Sequence, residues 1–137
     1  MTTAKILDSF ALMAYFENET GAAFVEDLLL KAQTGEVHLA MSVINLGEVW
    51  YSIARNTSAQ KADSYVQSIC SMSIEIVDAD WQITHQAALY KSKGGISYAD
   101  CYAAALAKLR QADLVTADPE FEKLQYDINI VWPKIKN

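Results

Sequence analysis

Four carboxylates stand at separated points of this 137-residue chain, each beside an apolar run. Asp8 follows AKIL, Glu48 lies within SVINLGEVWYSIARN, Asp100 falls near the start of ISYADCYAAALAKL, and Asp118 follows DLVTA. Carboxylates cost much to bury and repel one another. Two of them about 6 Å apart repel by about 3 kcal/mol at an effective dielectric of 20. Four together would raise some pKa values or recruit a cation. A hard divalent cation such as Mg²⁺ or Mn²⁺ takes oxygen ligands, keeps several waters and leaves room for a phosphate. The chemistry open to such a cluster is activation of water against a phosphoryl centre.

Each acid also has a plainer reading. Asp8 could merely cap a helix beginning at Ser9. Asp118 could cap another, with Pro119 at its first position. Ser97-x-x-Asp100 has the form of a capping box. Glu48 lies mid-helix, where no cap needs it, on the side away from a core face of Leu46, Val49, Trp50 and Ile53. Its plain reading is a solvated surface near Arg55. Ala103, Ala104 and Ala107 continue the face that Asp100 heads, and small residues let neighbouring elements approach.

Other acids fit less well. Asp113 begins a strand and so lies at the opposite end from Asp118. Asp78 and Asp80 follow a strand, and Asp80 reads as the cap of a helix at Trp81. Glu26 and Asp27 form an ordinary polar face. Two hydroxyls could orient carboxylates: Ser9, next to Asp8, and Thr116, two residues before Asp118 on the same strand face. His38 and His85 have no metal-ligand spacing. Lys91, Lys93 and Arg55 are candidate phosphate contacts.

These residues must be placed by short β-rich runs alternating with helical ones. Strands are expected at Ala4–Leu7, Val37–Met41, Ser73–Val77, Leu114–Thr116 and Ile128–Trp132. Helices are expected at about Ser9–Phe16, Gly21–Ala32, Val43–Arg55, Ala59–Cys70, Trp81–Lys91 and Tyr98–Arg110. Apolar strands of this kind suit a parallel sheet covered on both faces. The pattern is α/β, with one domain over residues 1–137 and no repeat or linker. No nucleotide-binding glycine loop occurs.

Composition narrows the class. Hydrophobic residues make up 52% and charged residues 20%, a balance that fits either tight packing or an apolar face for a partner. The net charge of −6 argues against coating nucleic acid by bulk attraction. It leaves a nuclease open and suits a basic protein partner. Cys70 and Cys101 lack CxxC spacing and read as reduced thiols, which implies a cytoplasmic protein. No segment approaches a membrane span, and Asp8 interrupts the first apolar run.

KILDSFALMAYF, NLGEVWY, ISYADCYAAALA and LVTADPEFEKL, in this order, resemble the four motif blocks of a PIN domain, most nearly those of VapC-type toxins. The resemblance implies a three-layer α/β/α fold around a parallel five-stranded sheet of order 3-2-1-4-5. It implies a Mg²⁺- or Mn²⁺-dependent endoribonuclease, the toxin of a type II toxin–antitoxin pair, leaving 5′-phosphate and 3′-hydroxyl ends. Asp8, Asp100 and Asp118 would be metal ligands. Glu48 would hold a second metal or orient the attacking water, with Ser9 and Thr116 behind them. The implied partners are RNA, an antitoxin and a second copy of the chain. Phe10 departs from the pattern, since many members carry Ser or Asn there. Other enzyme classes fit less well: a haloacid-dehalogenase-type phosphatase wants Asp-x-Asp where Asp8-Ser9-Phe10 stands, and a receiver domain wants an acidic pair. A non-catalytic PIN-fold interaction module is the alternative.

Overall fold

The computed structural model describes residues 3–133. Its strands are β1 (Thr3–Leu7), β2 (Val37–Ser42), β3 (Ile74–Val77), β4 (Asp113–Val115) and β5 (Ile130–Val131). They form one parallel sheet of order β3-β2-β1-β4-β5, as the resemblance implied. The helices are α1 (Ser9–Phe16), α2 (Ala22–Gln33), α3 (Val43–Asn56), α4 (Ala59–Ser71), α5 (Trp81–Ser92) and α6 (Tyr98–Arg110).

Strand alternation divides the core in two. Ile6, Ala40 and Leu114 join the cluster that contains Ile83, Ala87 and the buried residues of α6. Their neighbours Leu7, Leu39, Met41 and Val115 join the cluster holding Leu12, Val25, Val49 and Ile69, from α1 to α4. The period of two along each strand thus sends successive side chains to opposite helical layers. Chain direction from β1 is the functional consequence. The chain leaves β1 for β2 on one side, and β4 returns on the other. The carboxyl ends of β1 and β4 therefore flank a switch point, where ligands bind in open α/β sheets.

Three details differ from the sequence expectation. β4 has the expected length but begins one residue earlier, at Asp113, and β5 is shorter than expected; the helix that Asp118 and Pro119 announce is there, as a 3-10 helix over Pro119–Leu124 anchored by buried Phe121 and Leu124. Trp50 does not join the core of α3; it is exposed and its indole N–H donates to Asp63 Oδ1 on α4 at 2.8 Å. An indole needs a partner for its N–H, and the α3–α4 seam supplies one. Along α6, every residue from Cys101 to Ala107 is buried. The alanines there are more than a stripe: they let α6 lie between α5, α3 and the sheet.

Candidate active site

Asp8 comes directly after β1 and is only 1% exposed. It does cap α1, since Oδ1 accepts from the Ala11 N–H at 2.9 Å. The cap leaves Oδ2 free for another task, and Thr116 Oγ1 donates to it at 2.5 Å. The same Thr116 oxygen accepts from the Asp118 N–H at 3.0 Å. One buried hydroxyl, just beyond β4, therefore fixes Asp8 and the turn carrying Asp118. Asp118 caps the 3-10 helix through Oδ1 and the Glu120 N–H at 2.9 Å. Capping and site-building coexist at both aspartates.

Glu48 does not point to open solvent near Arg55. Its Oε1 accepts from Ser9 Oγ at 2.9 Å and from Asn45 Nδ2 at 3.0 Å. Ser9 thus orients Glu48 across the α1–α3 gap, and Thr116 orients Asp8. Arg55 instead lies over the Tyr51 ring, 5.4 Å from its centroid. Asn45 is fully buried and also donates to the Ala99 carbonyl at 3.1 Å, tying α3 to the first turn of α6. Its own Oδ1 has no hydrogen-bond partner. The sequence reading missed Asn45, although its i, i+3 spacing from Glu48 was the available signal.

Asp100 sits in the first turn of α6. Its backbone N–H donates to Ser97 Oγ at 3.2 Å, as a capping box begins. The loop before α6 is held from across the site: Lys123 Nζ donates to the Gly95 carbonyl at 2.7 Å and to Glu120 Oε2 at 2.9 Å. Gly95 has φ +86° and the Lys123 stem lies within 3.3–3.7 Å of where its Cβ would be, so a side chain there would be both strained and crowded.

Electrostatics links the four acids. Burial pushes the Asp8 pKa up from 3.8 to about 7; the Thr116 and Ala11 bonds oppose this, and the charges of Asp100 and Glu48 add to it. Asp100 is pushed up to about 6, again chiefly by burial, then by Glu48 and Asp118, with Ser97 opposing and Glu120 adding. Asp100 therefore feels acids from α3, from the end of β4 and from the 3-10 helix. Glu120 is a fifth acid that the sequence reading passed over within TADPEF. Among the described residues, no ion pair involves Asp8, Glu48, Asp100 or Asp118. Nor do any three acid, His or Cys side chains there converge into a ready-made metal cage. The donors fit a hard cation in chemistry.

The other candidates lie elsewhere. Asp113, at the far end of β4, pairs with Lys5 at 2.9 Å. Asp80 caps α5 through the Ile83 N–H. His38 bonds Glu75 at 2.8 Å, and His85 stacks on Trp81. Lys91 donates to the Ile96 carbonyl, and Lys93 to the Tyr126 hydroxyl. Cys101 is buried, and burial lifts its thiol to about 11.

Comparison with known proteins follows the same lines. Over nearly its full length the chain resembles VapBC2 of Rickettsia felis, solved with a fragment of promoter DNA (20% identity, TM-score 0.75, 96% of this chain and 100% of that one). It also resembles DNA-bound VapBC of Salmonella typhimurium (21%, 0.73, 98% and 100%). A third likeness is to Mycobacterium tuberculosis VapC20, a sarcin-ricin loop cleaving toxin (14%, 0.67, 88% and 94%). At these identities the likeness is one of fold. A search of curated protein sequences finds no match. The PIN domain family model matches residues 5–125, a span that holds all four acids, β2, β3, β4 and the second half of β1. With that match over most of its length, and with the sheet order 3-2-1-4-5, the chain belongs to the PIN domain family.

Proposed function

We propose that this protein is a Mg²⁺- or Mn²⁺-dependent endoribonuclease, the toxin of a type II toxin–antitoxin pair. One observation carries the reading. A buried carboxylate, Asp8, sits at the switch point of the sheet with the charges of Asp100 and Glu48 close enough to raise its pKa. A scaffold gains nothing from that arrangement, which opposes folding at neutral pH. A divalent cation held by these carboxylates would turn the repulsion into attraction.

Asp8 and Asp100 are the residues to hold the ion, with Asp118 reaching it directly or through water. A bound Mg²⁺ or Mn²⁺ supplies charge neutralisation at the phosphoryl group and eases ionisation of the attacking water. Glu48, held by Ser9 and Asn45, accepts a proton from that water or holds a second ion. Thr116 keeps Asp8 aimed and, through the Asp118 N–H, keeps the β4 turn beside it. Hydrolysis by in-line attack then leaves 5′-phosphate and 3′-hydroxyl ends.

The likeness to VapBC complexes supports an antitoxin as partner. An acidic pocket is a natural seat for an antitoxin Arg or Lys. Exposed apolar side chains such as Leu30, Trp81 and Tyr126 support further protein contacts, including a homodimer. Among the described residues no helix is long and apolar enough to cross a membrane, and a cytoplasmic site of action fits an RNA substrate.

The test is RNA cleavage by purified protein with Mn²⁺, with excess chelator, and with Asp100→Asn. Asn keeps the shape at Asp100 and removes the charge a hard cation needs. The expected result is cleavage by the parent in Mn²⁺ and a loss of orders of magnitude in the other two arms. Undiminished cleavage in chelator, or by folded Asp100→Asn, would refute the metal-nuclease reading and leave the interaction module in its place.

A further inference from the structure

A groove of about 740 Å³ opens where β4 and β5 end. Phe10, in the first turn of α1, forms one wall. The α1–α2 turn, with Asn18, Glu19 and Thr20, forms another. Ala117 and Trp132 line the groove where β4 and β5 end. Groove and acids share two backbone segments. Phe10 lies two residues past Asp8, and Ala117 stands between Thr116 and Asp118. The register of β5, with Val131 opposite Val115, carries Trp132 on beside Thr116.

The groove is built, not a gap left by loose packing. The far wall is locked because a Cβ at Gly21, whose φ is +93°, would lie 2.9 Å from Pro133 Cβ. Only glycine lets the α1–α2 turn press so closely on that segment. Asn18 has φ +52°, a conformation asparagine tolerates better than most residues.

The lining selects its ligand by chemistry. It presents two aromatic rings, an amide, a hydroxyl and the Glu19 carboxylate, and no Lys, Arg or His. Phe10 is 45% exposed, so much of its ring is open to a ligand. A phosphate would be repelled by Glu19. A flat, neutral ring with N–H donors on its edge suits every group present.

We propose that this groove is a nucleobase subsite, taking the base of one unpaired nucleotide next to the phosphate held at the acids. The base stacks on Phe10 or Trp132, as unpaired bases do on aromatic platforms. Asn18 and Thr20 read its edge, and Glu19 accepts from an exocyclic amino group, which favours cytosine over uracil. This deepens the ribonuclease reading and rests on it. The position that departs from the family pattern, Phe10, thereby acquires a role.

The test has a binding arm and a kinetic arm. In a Trp50→Phe, Trp81→Phe background, Trp132 is the sole tryptophan. Cytidine, which carries no phosphate, should quench its emission; ribose should not, and uridine should bind more weakly. In the kinetic arm, Phe10→Ala should lower kcat/KM on a single-stranded RNA by roughly 5- to 150-fold, the span of one base stack. On the same RNA made abasic at the flanking position, parent and Phe10→Ala should be equal. Glu19→Gln should bring the preference for cytidine over uridine close to unity. Equal effects of Phe10→Ala on intact and abasic RNA would overturn the proposal, as would quenching by ribose alone. Phe10→Ala protein that loses a co-purifying protein partner while keeping its base discrimination would assign the groove to that partner instead. A parent that binds cytidine but cleaves no RNA would refute the nuclease reading, not the subsite.

Discussion

Replacing Asp8 by Asn should stabilise the metal-free protein, and by an amount that depends on pH. Asp8 is pushed up from 3.8 to about 7 in the folded protein, chiefly by burial. Below pH 3.8 both folded and unfolded chains hold the proton, and the group takes nothing from stability. As pH rises, the unfolded chain releases the proton while the folded one keeps it, and stability falls. Above pH 7 both are ionised and the deficit is complete. A shift of roughly 3 units corresponds to about 4 kcal/mol, an upper bound because local relaxation and water entry lower the cost of a buried charge. Asn caps a helix about as well as Asp, so the Ala11 bond survives; the charge is lost, and the contact with Thr116 reverses, the Asn amide donating to Thr116 Oγ1 where Asp8 Oδ2 accepted from it. Urea unfolding of parent and Asp8→Asn in chelator, at pH 4 and pH 8, measures the effect. The difference between the two proteins should move in favour of Asn by several kcal/mol from pH 4 to pH 8. A difference constant with pH to within about 0.5 kcal/mol would refute the burial argument, since the linkage slope follows directly from the pKa difference. Adding Mg²⁺ at pH 8 should then stabilise the parent by mass action and leave the variant unchanged.

Three further outcomes are expected. Thr116→Val removes the donor to Asp8 and the acceptor for the Asp118 N–H, so it should destabilise by about 1–3 kcal/mol in denaturant unfolding, and more at pH 8 than at pH 4 because Asp8 then loses a bond that favours its charge. Gly21→Ala should destabilise by more than about 1 kcal/mol, read as a fall in melting temperature, because φ is +93° and Pro133 occupies the space. Under native conditions at pH 8 a thiol reagent should modify exposed Cys70 alone; Cys101, buried and lifted to about 11, should react only in denaturant.

The fold was legible because local and global signals agree. Ile and Val runs with helical stretches between them leave little choice beyond a parallel sheet, and the ends of α1 and α6 fall at the expected residues. Caps explain that accuracy: Asp8 and Ser97 each mark a helix start in sequence and in space. Strand order is different. Nothing in β4 says that it lies beside β1; family resemblance supplied that neighbour, and the bond from Thr116 to Asp8 emerges only in the structure. Helical periodicity also misplaced Trp50, because a face average ignores what one indole N–H requires.

Glu48 marks where reasoning from one helix ends. On α3 alone it lies away from the core side chains, and a solvated surface is the natural inference. Exposure, however, depends on the neighbouring elements. The start of α1 brings Ser9 against Glu48, and the first turn of α6 brings Ala99 against Asn45, so the polar side of α3 faces two neighbouring elements rather than open solvent. The same contacts join the two halves of the site. Ser9 follows Asp8 in sequence yet bonds Glu48, while Thr116 precedes Asp118 yet bonds Asp8. Each hydroxyl serves the acid of another element rather than its neighbour in the chain. A charge pocket assembled that way cannot persist in an isolated helix or hairpin. It forms only when β1, β4, α3 and α6 are docked together, so whatever ligand neutralises it stabilises the folded domain as a whole.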